Sequence, residues 1–484
     1  MTVTQEQAVQ DIENEWDREL SGLSAHRVLS TREKLLTVFV ASLATFISPI
    51  SASIFYPGVD ALARNLHVSN TMINYTNTSF KVFQGIAPLV TGNLSDRIGR
   101  RTVLIPSLIF YVATNFGLAL QTDFAMLIVL RSLQSICCST ISIVGTATTA
   151  DVVAKTERGR YLAYTILGAT VGPALGPLIG GTLSHFLGWR SVFWFLVLFG
   201  TVVLSVTVLF LPETFHRNPP LPRQTGWVSP TQSPGSSSNK GSDQTIENSG
   251  RYISPWSTIR LLREKETACI VFFSAIFYAC YLSITTTLPY ELGGHYSLNA
   301  MQIGISYLPY GLGSLTSRWT AGSLGDLNLA RLVARSQNTR NEVEYLNGEP
   351  PFEKARLQVT LPLAYSTAIF VAAYSWVINY EVHVSIPLVM LFFIGHGMAG
   401  VSSTLTTLVI DCHTERPATA MAAANLVRCL LGAGANAAAI PLINLISIGW
   451  MGTLFAFTCI ASTPLIWVVY AWGHKWRTEG HIAI

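Results

Sequence analysis

Lys81, Arg131, Arg318 and Arg428 each interrupt an apolar run long enough to cross a lipid bilayer. A Lys or Arg near the centre of such a run costs about 2.5 to 3.5 kcal/mol on insertion scales, and charge kept at that cost usually handles a solute or an ion. Arg318 stands about five residues from one end of its run, close enough for its head group to snorkel to the interface. Lys81 and Arg428 lie nine and ten residues into theirs, near mid-bilayer at ~1.5 Å per residue. Arg131 heads a stripe of small polar residues at helical spacing, Arg131, Ser135, Ser139, Ser142, Thr146 and Thr149. Asn74, Thr78, Lys81 and Gly85 form a second such face, and Asn425, Arg428, Gly432 and Asn436 a third. These faces suit either a water-filled cavity or a closely packed helix; the stripe of Arg131 is taken as cavity-facing, and the other two are left open.

Moving a proton through such an interior needs a group that titrates, and a buried arginine effectively does not. Every Asp and Glu associated with the runs, including Asp96, Asp151, Glu291, Asp326 and Asp411, falls at a span end or in a loop, so the interior is expected to hold cations without carboxylates. His396, between two glycines halfway along its run, is the internal candidate for a proton carrier, because imidazole titrates near neutrality. A hydrogen-bonded packing histidine is the competing reading. Lys81 is an alternative carrier if desolvation lowers its affinity for the proton. Asp411 and Glu291, at opposite ends, are secondary candidates for proton uptake and release.

The elements that position these residues follow from composition. Charged residues make 12% of the 484, about half the ~25% usual in soluble domains, while 50% are hydrophobic. An ordinary soluble protein is excluded. Apolar runs fall at about Leu35–Tyr56, Met72–Leu94, Thr102–Leu120, Ala125–Thr149, Tyr161–Leu183 and Ser191–Leu211, then at Ala268–Tyr290, Ala300–Ser323, Leu361–Asn379, His383–Ile410, Ala418–Leu445 and Gly449–Trp472. The expected fold is an all-α integral membrane protein with twelve transmembrane helices in two six-helix bundles. With the N-terminus inside, the inner segments carry 25 Lys and Arg while the outer loops carry only Arg64 and Arg190, which puts both termini in the cytoplasm. The basic residues thus sit where topology places them, and no nucleic-acid partner is implied by the net charge of +4.

The expected division is a cytoplasmic tail over 1–34, bundles over 35–211 and 268–472, a cytoplasmic linker over 212–267 and a tail over 473–484. The linker's 219–254 stretch is rich in Pro, Ser and Gly and reads as a flexible tether. Pro255 to Glu266 has the spacing of a short helix on the inner leaflet, or of a simple extension of the seventh span. Met1 to Lys34 lacks the pattern of a cleaved signal peptide. Seven cysteines in or beside apolar runs form no disulfide framework or zinc pattern, and no metal, cofactor or phosphate-binding loop is expected. No nucleophile and base pair or intramembrane carboxylate pair appears, so the chain does not read as an enzyme.

The halves echo each other. Gly92, Asp96, Arg97, Gly99, Arg100 and Arg101 follow the second span, and Gly322 and Asp326 with Arg331 follow the eighth, a glycine standing four residues before an aspartate each time. The first set reads as a tight turn with Asp96 able to cap a helix and three arginines able to pair with acidic groups or lipid phosphate, a conformational latch. In the fifth span Gly172, Pro173, Gly176, Pro177, Gly180 and Gly181 remove side-chain bulk and interrupt backbone bonding where the halves would meet.

On these residues the chain resembles the major facilitator superfamily from about Leu35 to Trp472, and within it the fungal twelve-span drug:proton antiporters of the quinidine-resistance-like branch. Gly92–Arg101 is similar to the signature loop between spans two and three. Leu130–Ser135 resembles the fourth-span motif and Gly172–Gly181 the fifth-span antiporter motif. Leu211–Thr214 and Asn425–Cys429 are weaker matches. Ala163 stands where the family pattern has glycine, and Lys81 where it has an apolar residue. The resemblance implies alternating access by two rocking halves, export of a small organic molecule against protons, a monomer, no cofactor, and the plasma membrane as location. Proton-coupled uptake of an organic acid or nutrient is the alternative. A non-transporting sensor would be expected to bring longer structured tails than 1–34 and 473–484. Lys81, Arg131, Ser135, His396, Asn425 and Arg428 are the expected substrate or proton residues.

Overall fold

The computed structural model describes residues 31–153, 158–211, 260–338, 352–413 and 417–482. The tail before residue 31 and the tether lie outside these residues, as does most of the expected inner-leaflet helix.

The first half begins with α1 (Thr31–Ser53), a 3₁₀ turn (Tyr56–Gly58) and short α2 (Val59–Asn65). It continues through α3 (Asn70–Ile98), α4 (Arg100–Leu120), α5 (Phe124–Val152), α6 (Arg158–Leu187) and α7 (Arg190–Phe210). The second half holds α8 (Lys265–Tyr296), short α9 (Ala300–Ser306), α10 (Leu308–Asn338), α11 (Phe352–Asn379), α12 (Ser385–Cys412), α13 (Pro417–Ala461) and α14 (Thr463–Ile482). α13 is two crossings joined at Ser447, whose φ of 70° turns the chain back. Eight segments among the described residues are long and apolar enough to cross a membrane, the last spanning both arms of α13 and most of α14. α3, α6 and α10, which carry much of the polar and glycine content, complete the twelve crossings.

Local sequence explains several boundaries. Ser69 caps α3, its hydroxyl accepting from the Met72 N–H at 3.3 Å. Asn299 and Gln302 form a reciprocal capping box at α9, each side chain accepting from the other's backbone N–H at 3.0 Å. Gly99 separates α3 from α4 with φ 104° and ψ 151°, a conformation that a side chain would strain.

Packing repeats between halves. α1 packs on α5 and α6, α3 on α5, and α4 on α5 and α7; correspondingly α8 packs on α12 and α13, α10 on α12, and α11 on α12, α13 and α14. The halves meet along two seams, α3 against the first arm of α13 and α6 against α9 and α10. A shift of six crossings exchanges those seams, which is the internal two-fold symmetry expected of repeat-built transporters. Both described chain ends lie on one face, called here the terminal face; the loops between α1 and α3 and between α8 and α9 mark the far face.

Candidate functional site

Arg131 is wholly buried inside the first half. Its NH1 donates to the Ser51 carbonyl at 3.1 Å and to Gln134 Oε1 at 2.6 Å, and Gln134 Nε2 donates to Asn115 Oδ1 at 2.6 Å. The guanidinium lies over the rings of Phe55 and Phe80, at 4.0 and 4.6 Å from their centroids. Its Nε and NH2 make no hydrogen bond within the described protein.

Lys81 and Arg428 approach the same region from the two sides of one seam. Lys81 Nζ donates to Gln84 Oε1 at 2.8 Å, and Gln84 Nε2 donates to Ser48 Oγ at 3.3 Å. Arg428 lies 5.3 Å from the Tyr278 ring centroid, donates from NH2 to Asn425 Oδ1 at 3.3 Å, and has a buried Nε without a partner. Asn425 Nδ2 reaches across the seam to the Gln84 carbonyl at 3.5 Å. Lys81 and Arg131 both lie within electrostatic reach of the Tyr56 hydroxyl, and Lys81 and Arg428 within reach of the Cys429 thiol. Among the described residues no Asp or Glu is bonded to any of these cations. A cationic centre backed by aromatic faces and lacking a carboxylate is built to receive an anion or a carbonyl-rich solute, and a guanidinium with bare nitrogens suits a carboxylate best.

Around this centre the far face is closed. Asn74 Nδ2 donates to the Asn436 carbonyl at 2.6 Å, while Asn436 Nδ2 donates to Asn74 O at 3.4 Å and Thr78 Oγ1 at 3.1 Å; Asn436 Oδ1 accepts from the Thr286 hydroxyl. α3, α8 and α13 are thereby tied together. On the other seam Gly181 lies so close to α9 that a methyl group there would collide with the Ala300 carbonyl. The Tyr56 and Tyr307 rings face each other across the halves at 6.3 Å. Toward the terminal face a Cβ built at Gly92 or Gly322 would meet nothing within 4 Å.

The expected motif residues divide. Gly92 is inside α3, so it makes no turn; Gly99 does that work. The Asp96 side chain lies outside the described parts. Arg97 is exposed, Arg100 bonds Asp151 Oδ2 at 2.9 Å and Ser95 Oγ at 2.7 Å, and Arg101 donates to the Val208 carbonyl at 2.9 Å. The second half has its counterpart in Arg356, which sequence reading missed in favour of Arg331. Arg356 donates to Asp326 Oδ1 at 2.7 Å and Asp411 Oδ2 at 3.4 Å. The signal was there in the spacing: Arg100 and Asp151 are 51 residues apart, Arg356 and Asp411 55. In the fifth span Gly172, Gly176 and Gly180 admit α1 of the same half, while Gly181 and the Pro177 carbonyl meet α9 of the second half and Ala174 meets Gly311 of α10.

In the stripe headed by Arg131 the residues Arg131, Ser135, Ser139 and Thr149 are buried, while Ser142 and Thr146 are half-buried. Ser135 donates to the Phe80 carbonyl and Thr149 pairs with Thr165 at 3.0 Å, because small hydroxyls let α5 approach α3 and α6 and find partners there. His396 does not join the centre. Its ring nitrogens lie 3.1 Å from Thr316 Oγ1 and 3.3 Å from Thr320 Oγ1 of α10. At ~100° per residue these threonines lie roughly 140° and 180° around α10 from Gly311, which faces α6, so His396 is on the side turned from the first half. Glu291 was expected at a span end, but α8 continues to Tyr296 and the carboxyl is buried at 1% exposure. The interior therefore does hold a carboxylate.

Two six-helix halves, closed at one face, thus meet around Lys81, Arg131 and Arg428. The chain is 38% identical over 457 residues to MFS-type transporter clz19 of Cochliobolus lunatus, covering 93% of this chain and 87% of that protein. MFS-type transporter R5 of Phoma sp. is 38% identical over 461 residues with the same two coverages. Citrate exporter 1 of Aspergillus niger is 29% identical over 477 residues, 93% of this chain and 88% of that protein. The family model described as the Major Facilitator Superfamily matches residues 41–436, and by that match, the fold and the two seams this chain is a multi-pass membrane transporter of the Major Facilitator Superfamily.

Proposed function

We propose that the protein exports a small organic molecule carrying a carboxylate or several carbonyl groups, in exchange for protons, as a member of the fungal drug:proton antiporter group and of its quinidine-resistance-like branch. The observation that carries this reading is Arg131, wholly buried with two guanidinium nitrogens free of protein partners, in a centre where Lys81 and Arg428 also lack a carboxylate. Such a centre favours anions and repels lipophilic cations. The relative named Citrate exporter 1 supports both the direction and the charge of the solute. The loop charges support cytoplasmic termini, and with the plasma membrane as location the closed far face is extracellular. The protein acts as a monomer, drawing solute from the cytosol into the gap between the seams.

The test is a flux panel in proteoliposomes containing the purified protein, with size-matched anionic, neutral and cationic compounds, for wild type and Lys81→Leu. The reading expects anions and carbonyl-rich neutral compounds to move at least tenfold faster than cations, and Lys81→Leu to erase most of that preference. Equal movement of a cation and its isosteric anion, unchanged in Lys81→Leu, would overturn it; accumulation toward the terminal face would instead favour uptake.

A further inference from the structure

Three consecutive threonines in α8 join a buried carboxyl to the far-face closure. The Thr287 hydroxyl donates to Glu291 Oε1 at 2.7 Å, and the Tyr374 hydroxyl of α11 donates to Glu291 Oε2 at 2.8 Å. One residue earlier the Thr286 hydroxyl holds Asn436, the residue bonded across the seam to Asn74 and Thr78. One residue earlier still, the Thr285 carbonyl accepts the hydroxyl of Tyr307, whose ring faces Tyr56 of the first half. Any movement of α8 around Glu291 is thus transmitted to both cross-half contacts.

Glu291 also has a route to solution. Side-chain exposure falls from 64% at Glu381 to 35% at His295, and Glu291 is buried at 1%. His295 Nδ1 lies 3.1 Å from Glu381 Oε1, and His295 is one helical turn from Glu291 on the same face of α8. The other titratable groups around the carboxyl are phenols and one carboxyl: Tyr374 on α11, Tyr307 beside α10, Tyr290 and Tyr296 on α8, and Asp60 of α2 beside Gly293. On α13 and α12 the nearest charged side chains are remote. Arg428 stacks on Tyr278, 13 residues and ~20 Å down α8, and Asp411 is at the terminal face. Among the described ionisable side chains outside the phenols, His295 is the one that bears electrostatically on Glu291. A fully buried carboxylate without a lysine or arginine is costly unless it takes a proton.

We propose that Glu291 is the proton-binding residue of transport, loaded from the far face through Glu381 and His295, and that its protonation state sets far-face closure through Thr285, Thr286 and Thr287. On protonation an O–H bond forms on one Glu291 oxygen and donates to the hydroxyl that had donated to it; that hydroxyl's hydrogen turns elsewhere, for Thr287 to the Ser283 carbonyl at 2.8 Å, and the charge-assisted bonds that fix α8 become weaker neutral ones. On deprotonation, with the proton leaving toward the terminal face as antiport requires, both hydroxyls donate again to the carboxylate and the clasp reforms. The proposal deepens the export reading by naming where the coupling proton sits.

The test uses full-length protein in lipid and needs no substrate. Infrared spectra across a pH series report protonated carboxyls, and spin labels carried by non-natural residues at Arg64 and Tyr380 report the far-face gap. Wild type is expected to lose a carboxyl band as pH rises while the gap narrows over the same range. Glu291→Gln is expected to lose that band and the pH response of the gap, and Tyr374→Phe, which removes one donor to the charged form, to move the transition about one pH unit higher. A band and a pH-dependent gap that persist in Glu291→Gln, or an unmoved transition in Tyr374→Phe, would overturn the proposal. Failure of these readouts with substrate flux intact would leave export standing; intact readouts without flux of any anion would remove export and keep the proton site.

Discussion

Asn74 and Asn436 exchange hydrogen bonds across the two halves, each side-chain amide donating to the other's backbone carbonyl, at 2.6 and 3.4 Å. Asn436→Leu removes the two side-chain bonds to Asn74 and Thr78 that cross the halves while keeping side-chain volume. At about 0.6 kcal/mol per bond between helices in a bilayer, the loss is roughly 1.2 kcal/mol, about an 8-fold shift toward the far-open state. Distances between labels at Arg64 and Tyr380 should show that shift, and an unchanged distribution would mean that the clasp does not hold the face closed.

Arg131→Lys keeps the charge and removes the planar fork that reaches the Ser51 carbonyl and Gln134 while lying between Phe55 and Phe80. Flux is expected to fall by more than tenfold with the protein still monodisperse in detergent. Flux within twofold of wild type would remove Arg131 from the solute site.

Arg356→Gln leaves Asp326 and Asp411 without their common cation. Asp326 is largely exposed, so the pair with Asp411 carries most of the effect, on the order of 1 to 2 kcal/mol. Melting should move down by several degrees, as it should for Arg100→Gln, whose partner Asp151 occupies the equivalent place in the first half. A drop in one half only would argue against functional equivalence of the two ion pairs.

His413, just past α12, is tied to the start of α8. Burial disfavours its charged form, but hydrogen bonds to Glu264 Oε2 and the Val409 carbonyl, both at 3.0 Å, and the charge of Glu266 nearby raise its pKa above the ordinary value. A raised folded value means that the tie contributes fully below about pH 6.5 and is lost as pH climbs through the folded value. Thermal stability should therefore decline across that window in wild type and be flatter in His413→Gln. Equal pH profiles would show that the pair carries no stability.

The spans were legible because apolar runs of bilayer length are a one-dimensional signal; even α3, rich in Asn and Thr, stood out between charged ends. Depth along a helix was legible too: Lys81 and Arg131 are buried and Arg428 is half-buried. Facing was not. His396 has the right depth and lies against Thr316 and Thr320 of α10. Glu291 looked terminal because the apolar run stops at Tyr290, whereas packing against Tyr374 carries α8 another turn and a half. Arg356 was hidden by the polar stretch before the ninth span, since its role depends on Asp326 and Asp411 brought from two other helices. The stripe headed by Arg131 was ambiguous for a physical reason: hydroxyls that line a cavity in one conformation pack helices together in another.

Coupled proton movement in proteoliposomes tests the central claim most directly. With an internal pH indicator and a carboxylate-bearing substrate supplied at the terminal face, proton movement should run opposite to the substrate, stop in Arg131→Gln, and stop in Glu291→Gln while substrate exchange at equal concentrations continues. Substrate flux without proton movement in wild type, or movement of both in the same direction, would contradict the account of proton-driven export through a cationic centre.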